Sequence, residues 1–131
     1  MGNSDNKVRI IVAGGRDFNN YVGLCDVMDK FLKNLRGTPQ IVCGMAKGAD
    51  SLGERYAKEH NIDIAYFPAD WNKHGNIAGF IRNSEMARNA DALVAFWDGQ
   101  SHGTEHMINL ARSRGLYVLV VRYSMTKDSV G

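Results

Sequence analysis

The sequence predicts a three-layer α/β fold, a doubly wound parallel sheet of five strands in the order 3-2-1-4-5. Three observations predict it. Five short apolar runs alternate with four segments of helical period along 131 residues, a length suited to one domain. The last run, from Tyr117 to Val121, is almost continuously apolar, as a strand buried on both faces of a parallel sheet requires. Right-handed crossovers between successive strands then favour the doubly wound order.

The elements follow in turn. Val8 to Ala13 is a β-branched run stopped by Gly14-Gly15. From Tyr21 to Leu35 the apolar residues Leu24, Val27, Met28, Phe31, Leu32 and Leu35 recur at three and four, which predicts an amphipathic helix closed by Gly37-Thr38-Pro39. Ile41 to Cys43 reads as the second strand, Ala49 to His60 as the second helix, and Ile62 to Phe67 as the third strand. Pro68 to Gly79 has no clear period and reads as a long loop. Phe80 to Asn89 is the third helix, Ala92 to Trp97 the fourth strand, and Thr104 to Arg114 the fourth helix, with Gly115 as its C-terminal cap. Leu116 to Val121 is the fifth strand. Residues 122–131 are expected to form a partly mobile tail.

Composition excludes several classes of function. Hydrophobic residues make up 44% and charged residues 23%, with two prolines, against a disordered or collagen-like chain. A net charge of +2, spread evenly over the two halves, shows no basic face in sequence and makes a nucleic-acid binder the weakest of the readings. Cys25 and Cys43 form no CxxC pair, so a thiolate zinc site is not expected. His102 and His106 stand four apart without the HExxH order, so no metal is expected there either. The polar start, Met1 to Lys7, leads into a stretch too short for a signal peptide or membrane span, and a cytoplasmic protein is expected.

The fourteen glycines, about 11% of the chain against a usual value near 7%, point to the site. Gly14-Gly15-Arg16-Asp17 follows the first strand, Gly44 to Asp50 the second, and Gly99 to Thr104 the fourth. A parallel sheet brings all three turns to its C-terminal edge, where open α/β sheets bind ligands. Glycines let backbone N–H groups approach an anion, helix N-termini add further donors, and Ser101 and Thr104 supply hydroxyls. Arg16, Lys47 and Arg82 are placed to add positive charge. The same glycines also serve as ordinary strand-to-helix turns. GxGxxG and GxxxxGK spacings are both missing, against a dinucleotide-hydride enzyme or a P-loop ATPase, and no cofactor is expected.

Carboxylates at the mouth are Asp17, Asp50, Asp70, Asp98 and Glu105. Asp98, directly after the central fourth strand, is the first candidate to assist catalysis and Asp17 the second; Asp50 and Glu105 also suit helix-start roles, and Asp17 could bond its own turn. Trp71 is a candidate for ligand or subunit contact, and Trp97 for base stacking or core packing.

The ordered set Val12 to Phe18, Gly44 to Asp50, Phe67 to Trp71 and Ile81 to Met86 resembles the YspA-related family of small bacterial and phage proteins, within the SLOG superfamily of DprA and the "lonely guy" enzymes. The resemblance covers about residues 8 to 121. It implies a Rossmann-like fold, a nucleotide or nucleotide-derived ligand, and a homodimer or larger assembly. Arg82-Asn83-Ser84-Glu85-Met86 is similar to the R-K-x-x-M helix of the lonely guy phosphoribohydrolases, which puts Arg82 on their catalytic arginine and Asn83 on their lysine. Their G-G-x-G-T-x-x-E turn is matched loosely by Asp98 to Met107. Counted from Gly103-Thr104, Met107 takes the glutamate position, and Glu105 lies roughly 200° away on the helix. The resulting expectation is a sensor or sequestering module that binds through Gly14, Gly15, Arg16, Gly44, Lys47, Gly48, Asp50, Trp71, Arg82, Asn83, Gly99, Ser101, Gly103 and Thr104. A nucleoside-monophosphate N-glycosidase using Arg82 with Asp98 or Asp17 is the alternative.

Overall fold

The computed structural model describes residues 6–124. In chain order it contains β1 (Lys7–Gly14), α1 (Tyr21–Lys33), β2 (Thr38–Cys43), α2 (Ala49–Glu59), β3 (Asp63–Tyr66), α3 (Trp71–His74), a 3-10 turn (Gly75–Ile77), α4 (Ala78–Arg88), β4 (Ala92–Trp97), α5 (His102–Ser113) and β5 (Tyr117–Arg122). The sheet order is β3-β2-β1-β4-β5, as predicted, and every pairing is parallel.

Alternation of side chains along each strand divides the core in two. Ile10, Val12, Ile41, Val94 and Phe96 pack beneath α1 and α2 with Leu24, Met28, Tyr56 and Ala57. Ile11, Ala13, Val42, Leu93 and Ala95 face Met86, Ala87, Met107, Ile108 and Ala111 of α4 and α5. This is the three-layer, Rossmann-like arrangement. The central strands are buried on both faces because a helix pair covers each side.

Local chemistry explains the helix starts. The Asn20 side chain accepts the Gly23 N–H at 2.9 Å to cap α1, and Ser101 does the same for Thr104 N–H on α5 at 3.4 Å. Gly115 takes a φ of 78° just past α5, as expected of a C-terminal cap.

Three boundaries differ from expectation. β2 starts at Thr38 rather than Ile41, with Pro39 opposite Val8; proline is tolerated there because it sits at the beginning of a strand. The segment read as a loop from Pro68 to Gly79 contains α3, the 3-10 turn and the start of α4. Asp70 caps α3 by accepting the Lys73 N–H at 3.0 Å, and four residues are too few to display a helical period. Residues 122 and 123, expected in the tail, are held by the fold. Arg122 ends β5, and Tyr123 packs edge-on against Phe18 with ring centroids 4.9 Å apart; residues 125–131 lie outside the described ones. Among the described residues no helix is long and apolar enough to cross a membrane.

Candidate functional site

A cavity of about 640 Å³ opens where the ends of β1 and β2 meet α3, α4 and the start of α5. Its construction begins with two interlocked turns. Gly15 N–H donates to Phe96 O at 3.2 Å and Ala49 N–H to Gly15 O at 3.3 Å, so the turn after β1 is tied both to β4 and to the start of α2. A Cβ on Gly48, whose φ is 78°, would lie 2.1 Å from Gly15 O. Only glycine lets the second turn seat on the first. That contact places Arg16 and Lys47 beside each other on the cavity wall.

Between Gly44 and Gly48 the backbone bends sharply, and Met45 adopts a φ of 62°, uncommon for a residue with a side chain. Met45 N–H meets Cys43 Sγ at 3.4 Å, and Ala46 N–H meets Asp50 Oδ2 at 3.5 Å. Asp50, from the first turn of α2, is only 5% exposed. Burial pushes its carboxyl up to about 6, opposed by the Arg82 charge and by the Ala46 and Gly44 N–H groups. The buried Cys43 thiol is likewise pushed up to about 11, so it stays protonated and unreactive at neutral pH.

α4 ties the turns together through adjacent side chains. Arg82 Nη1 donates to Gly44 O, and Arg82 Nε donates to Asn83 Oδ1 at 3.1 Å. Asn83, also buried, donates from Nδ2 to Gly103 O at 3.4 Å and meets His106 Nδ1 at 3.2 Å. Burial lowers the His106 pKa, which favours the neutral ring needed to accept there. Arg82 therefore braces the second turn, and Asn83 braces the start of α5.

On the fourth-strand side, Ser101 Oγ and Thr104 Oγ1 lie 3.2 Å apart at the cavity wall. Gly103 has nothing within 4 Å of where a Cβ would stand, leaving its backbone approachable. Two exposed aromatic residues line the same cavity, Trp71 at 53% and Phe80 at 45% exposure.

Most of the expected ligand-binding residues line this one cavity: Gly14, Arg16, Gly44, Lys47, Asp50, Trp71, Arg82, Asn83, Ser101, Gly103 and Thr104. Gly15, Gly48 and Gly99 do not. Gly15 and Gly48 serve the packing of the two turns, and Gly99, with a φ of 87°, makes room for the Arg122 guanidinium. Asp98 and Asp17 are also outside the lining. Asp98 Oδ1 accepts the Gln100 and Ser101 N–H groups, each at 2.8 Å, which holds its pKa low, and Asp17 Oδ1 accepts the Tyr123 hydroxyl at 2.9 Å. Glu105 faces solvent beside His102, 3.8 Å away, while Met107 lines the cavity in the position counted for the glutamate. Trp97 donates from Nε1 to Ser101 O at 3.1 Å and packs with the core beneath α5.

Phe80, Met45 and His106 were not among the expected site residues. Phe80 reads in sequence as one more apolar helix position, and nothing in the spacing distinguishes a ring that faces a cavity from one that faces a core.

Over 117 residues the chain is 32% identical to the Gene 61 protein of Mycobacterium phage D29, covering 85% of this chain and 94% of that protein. Its fold matches the X-ray structure of DNA processing protein A (DprA) from Streptococcus pneumoniae with a TM-score of 0.72 at 14% identity. That match covers 94% of this chain but spans 53% of the DprA chain, and at this identity the likeness is one of fold. The family model described as "YspA, cpYpsA-related SLOG family" matches residues 8–74, the stretch that supplies the first two glycine turns, Asp50 and Trp71, and the chain belongs to that family.

Proposed function

We propose that the protein binds a nucleotide or nucleotide-derived small molecule as a sensor or sequestering module. The observation that carries this reading is the mixed lining of one cavity: Arg16 and Lys47 stand on glycine turns, and the exposed rings of Trp71 and Phe80 line the same space. Backbone N–H groups, the N-terminus of α5 and two cations suit a phosphate, and the rings suit a base. The net charge of +2 opposes a long nucleic acid as the ligand. A homodimer or larger assembly belongs to the same proposal, supported by the open edge of β5 and the exposed Tyr117 on that strand.

Calorimetric titration with a panel of mononucleotides and cyclic dinucleotides tests the site. Arg16→Ala and Lys47→Ala are each expected to weaken binding by about 1–3 kcal/mol without lowering stability, the worth of one charge-assisted contact. Wild-type affinity in both variants would remove the two cations from the site.

Binding without turnover is supported by Met107, which offers no proton where the lonely guy enzymes carry a glutamate. A second reading, hydrolysis of a nucleoside monophosphate at its N-glycosidic bond, has Asp50 in its favour. Its carboxyl lies in the cavity near Arg82 and titrates near neutrality, as proton transfer requires. Chromatography of AMP and GMP after incubation separates the two readings: intact nucleotide favours the binder, and free base released by wild type but not by Asp50→Asn favours the hydrolase.

A further inference from the structure

Charge along the cavity wall is uneven. Among the described residues that line it, Arg16, Lys47 and Arg82 are cationic and Asp50 is the one carboxylate. A lone buried acid in a cavity otherwise suited to anions needs a reason. Holding the turn through the Ala46 and Gly44 N–H groups accounts for only part of it, since an uncharged amide oxygen would serve as acceptor there.

The position of Asp50 relative to the other groups supplies the reason. A Cβ built on Gly44 would lie 2.8 Å from Asp50 Oδ2 and 3.0 Å from Arg82 Nη1. One built on Gly79 would lie 3.6 Å from both Arg82 Nη2 and the outer edge of the Trp71 ring. The two ends of the guanidinium thus lie in the neighbourhood of the carboxylate and of the indole. Asp50 also sits in the first turn of α2, directly after the Lys47-Gly48 turn that packs on Arg16. Asp50 thus lines the same cavity as the cations and the aromatic ring. A nucleotide with its phosphate on the cations and its base on the indole leaves its sugar among the remaining lining groups, of which Asp50 is the one carboxylate.

A ribose presents a vicinal diol with two O–H donors, and a carboxylate takes up such donors while repelling phosphate. We propose that Asp50 is the ribose-recognition residue of the cavity and that the site selects ribonucleotides over 2′-deoxyribonucleotides. The proposal rests on the nucleotide-binding reading above. Removal of the 2′-hydroxyl takes away one of the two donors to the buried carboxylate, a loss that a polar site penalises.

Calorimetry of AMP against 2′-deoxy-AMP, and GMP against 2′-deoxy-GMP, reads the selection with base and phosphate unchanged. Wild type is expected to prefer the ribonucleotide by about tenfold to 100-fold, as for a hydrogen bond to a charged group. Asp50→Asn, checked by thermal melting to be folded, is expected to bind the ribonucleotide more weakly and to bring the ratio close to one. Equal wild-type affinity for the two sugars overturns the proposal whatever the variant does, while leaving nucleotide binding intact. Full discrimination retained in Asp50→Asn overturns it as well. If none of the four nucleotides binds, the nucleotide reading fails and the proposal fails with it.

Discussion

Burial lifts the Asp50 carboxyl to about 6 from an ordinary 3.8, so the folded chain holds a proton that the unfolded chain has already released between those values. Stability is therefore greatest below pH 3.8 with respect to this group, and falls as the pH rises through about 6. The difference, at about 1.4 kcal/mol per pH unit, amounts to about 3 kcal/mol at neutral pH. Asp50→Asn is predicted to be more stable than wild type by about 1–3 kcal/mol at pH 7.5, with the gain disappearing near pH 4. Urea denaturation at a series of pH values checks this, and a variant less stable at pH 7.5 would contradict it. A group kept ionised at such cost belongs to function more readily than to stability. Asp50 was legible in sequence because it follows a glycine turn at the sheet edge. Asp98 and Asp17 follow the same logic but stand outside the cavity lining. Position at a strand end fixes the edge a carboxylate reaches but not where it turns. Two N–H groups of its own turn capture Asp98, and the Tyr123 hydroxyl that captures Asp17 arrives from 106 residues away.

The second turn and the α3–α4 segment are the elements that shape the cavity. Gly48→Ala places a Cβ 2.1 Å from Gly15 O at a φ of 78°, so the two turns must part. We expect a loss of at least about 2 kcal/mol in chemical denaturation, together with weakened nucleotide affinity. A neutral outcome would contradict the interlocking of the turns. Asp70→Ala removes the cap of a four-residue helix and should cost about 0.5–2 kcal/mol, with Trp71 fluorescence shifting as the ring loses its fixed position. The long helices were legible because several turns repeat the apolar spacing, as Leu24, Met28 and Phe31 do in α1. α3 makes a single turn, and its only sequence signal was Asp70 standing three residues before Lys73, a cap without a period to follow.

The strand order 3-2-1-4-5 reverses direction between β1 and β4, and the cavity lies at that reversal, outside the C-terminal ends of the strands. This much was legible, because it follows from alternation and handedness alone. The opposite end of the sheet carries a hollow of about 630 Å³ between α1 and β5, lined by Val27, Phe31, Tyr117 and Leu119. No helix among the described residues follows β5 to cover it, a consequence of chain order that local periodicity does not reveal. Light scattering at micromolar concentration checks the proposed assembly, for which a mass of twice the 14.5 kDa chain or more is expected and a monomer would contradict it. The two hollows also give the central claim its sharpest test, a crystal structure grown with a saturating ribonucleoside 5′-monophosphate. The prediction is density in the cavity, with phosphate against Gly14 to Arg16 and Met45 to Lys47, ribose against Asp50, and base against Trp71. An empty cavity, or the nucleotide seated between α1 and β5, would contradict it.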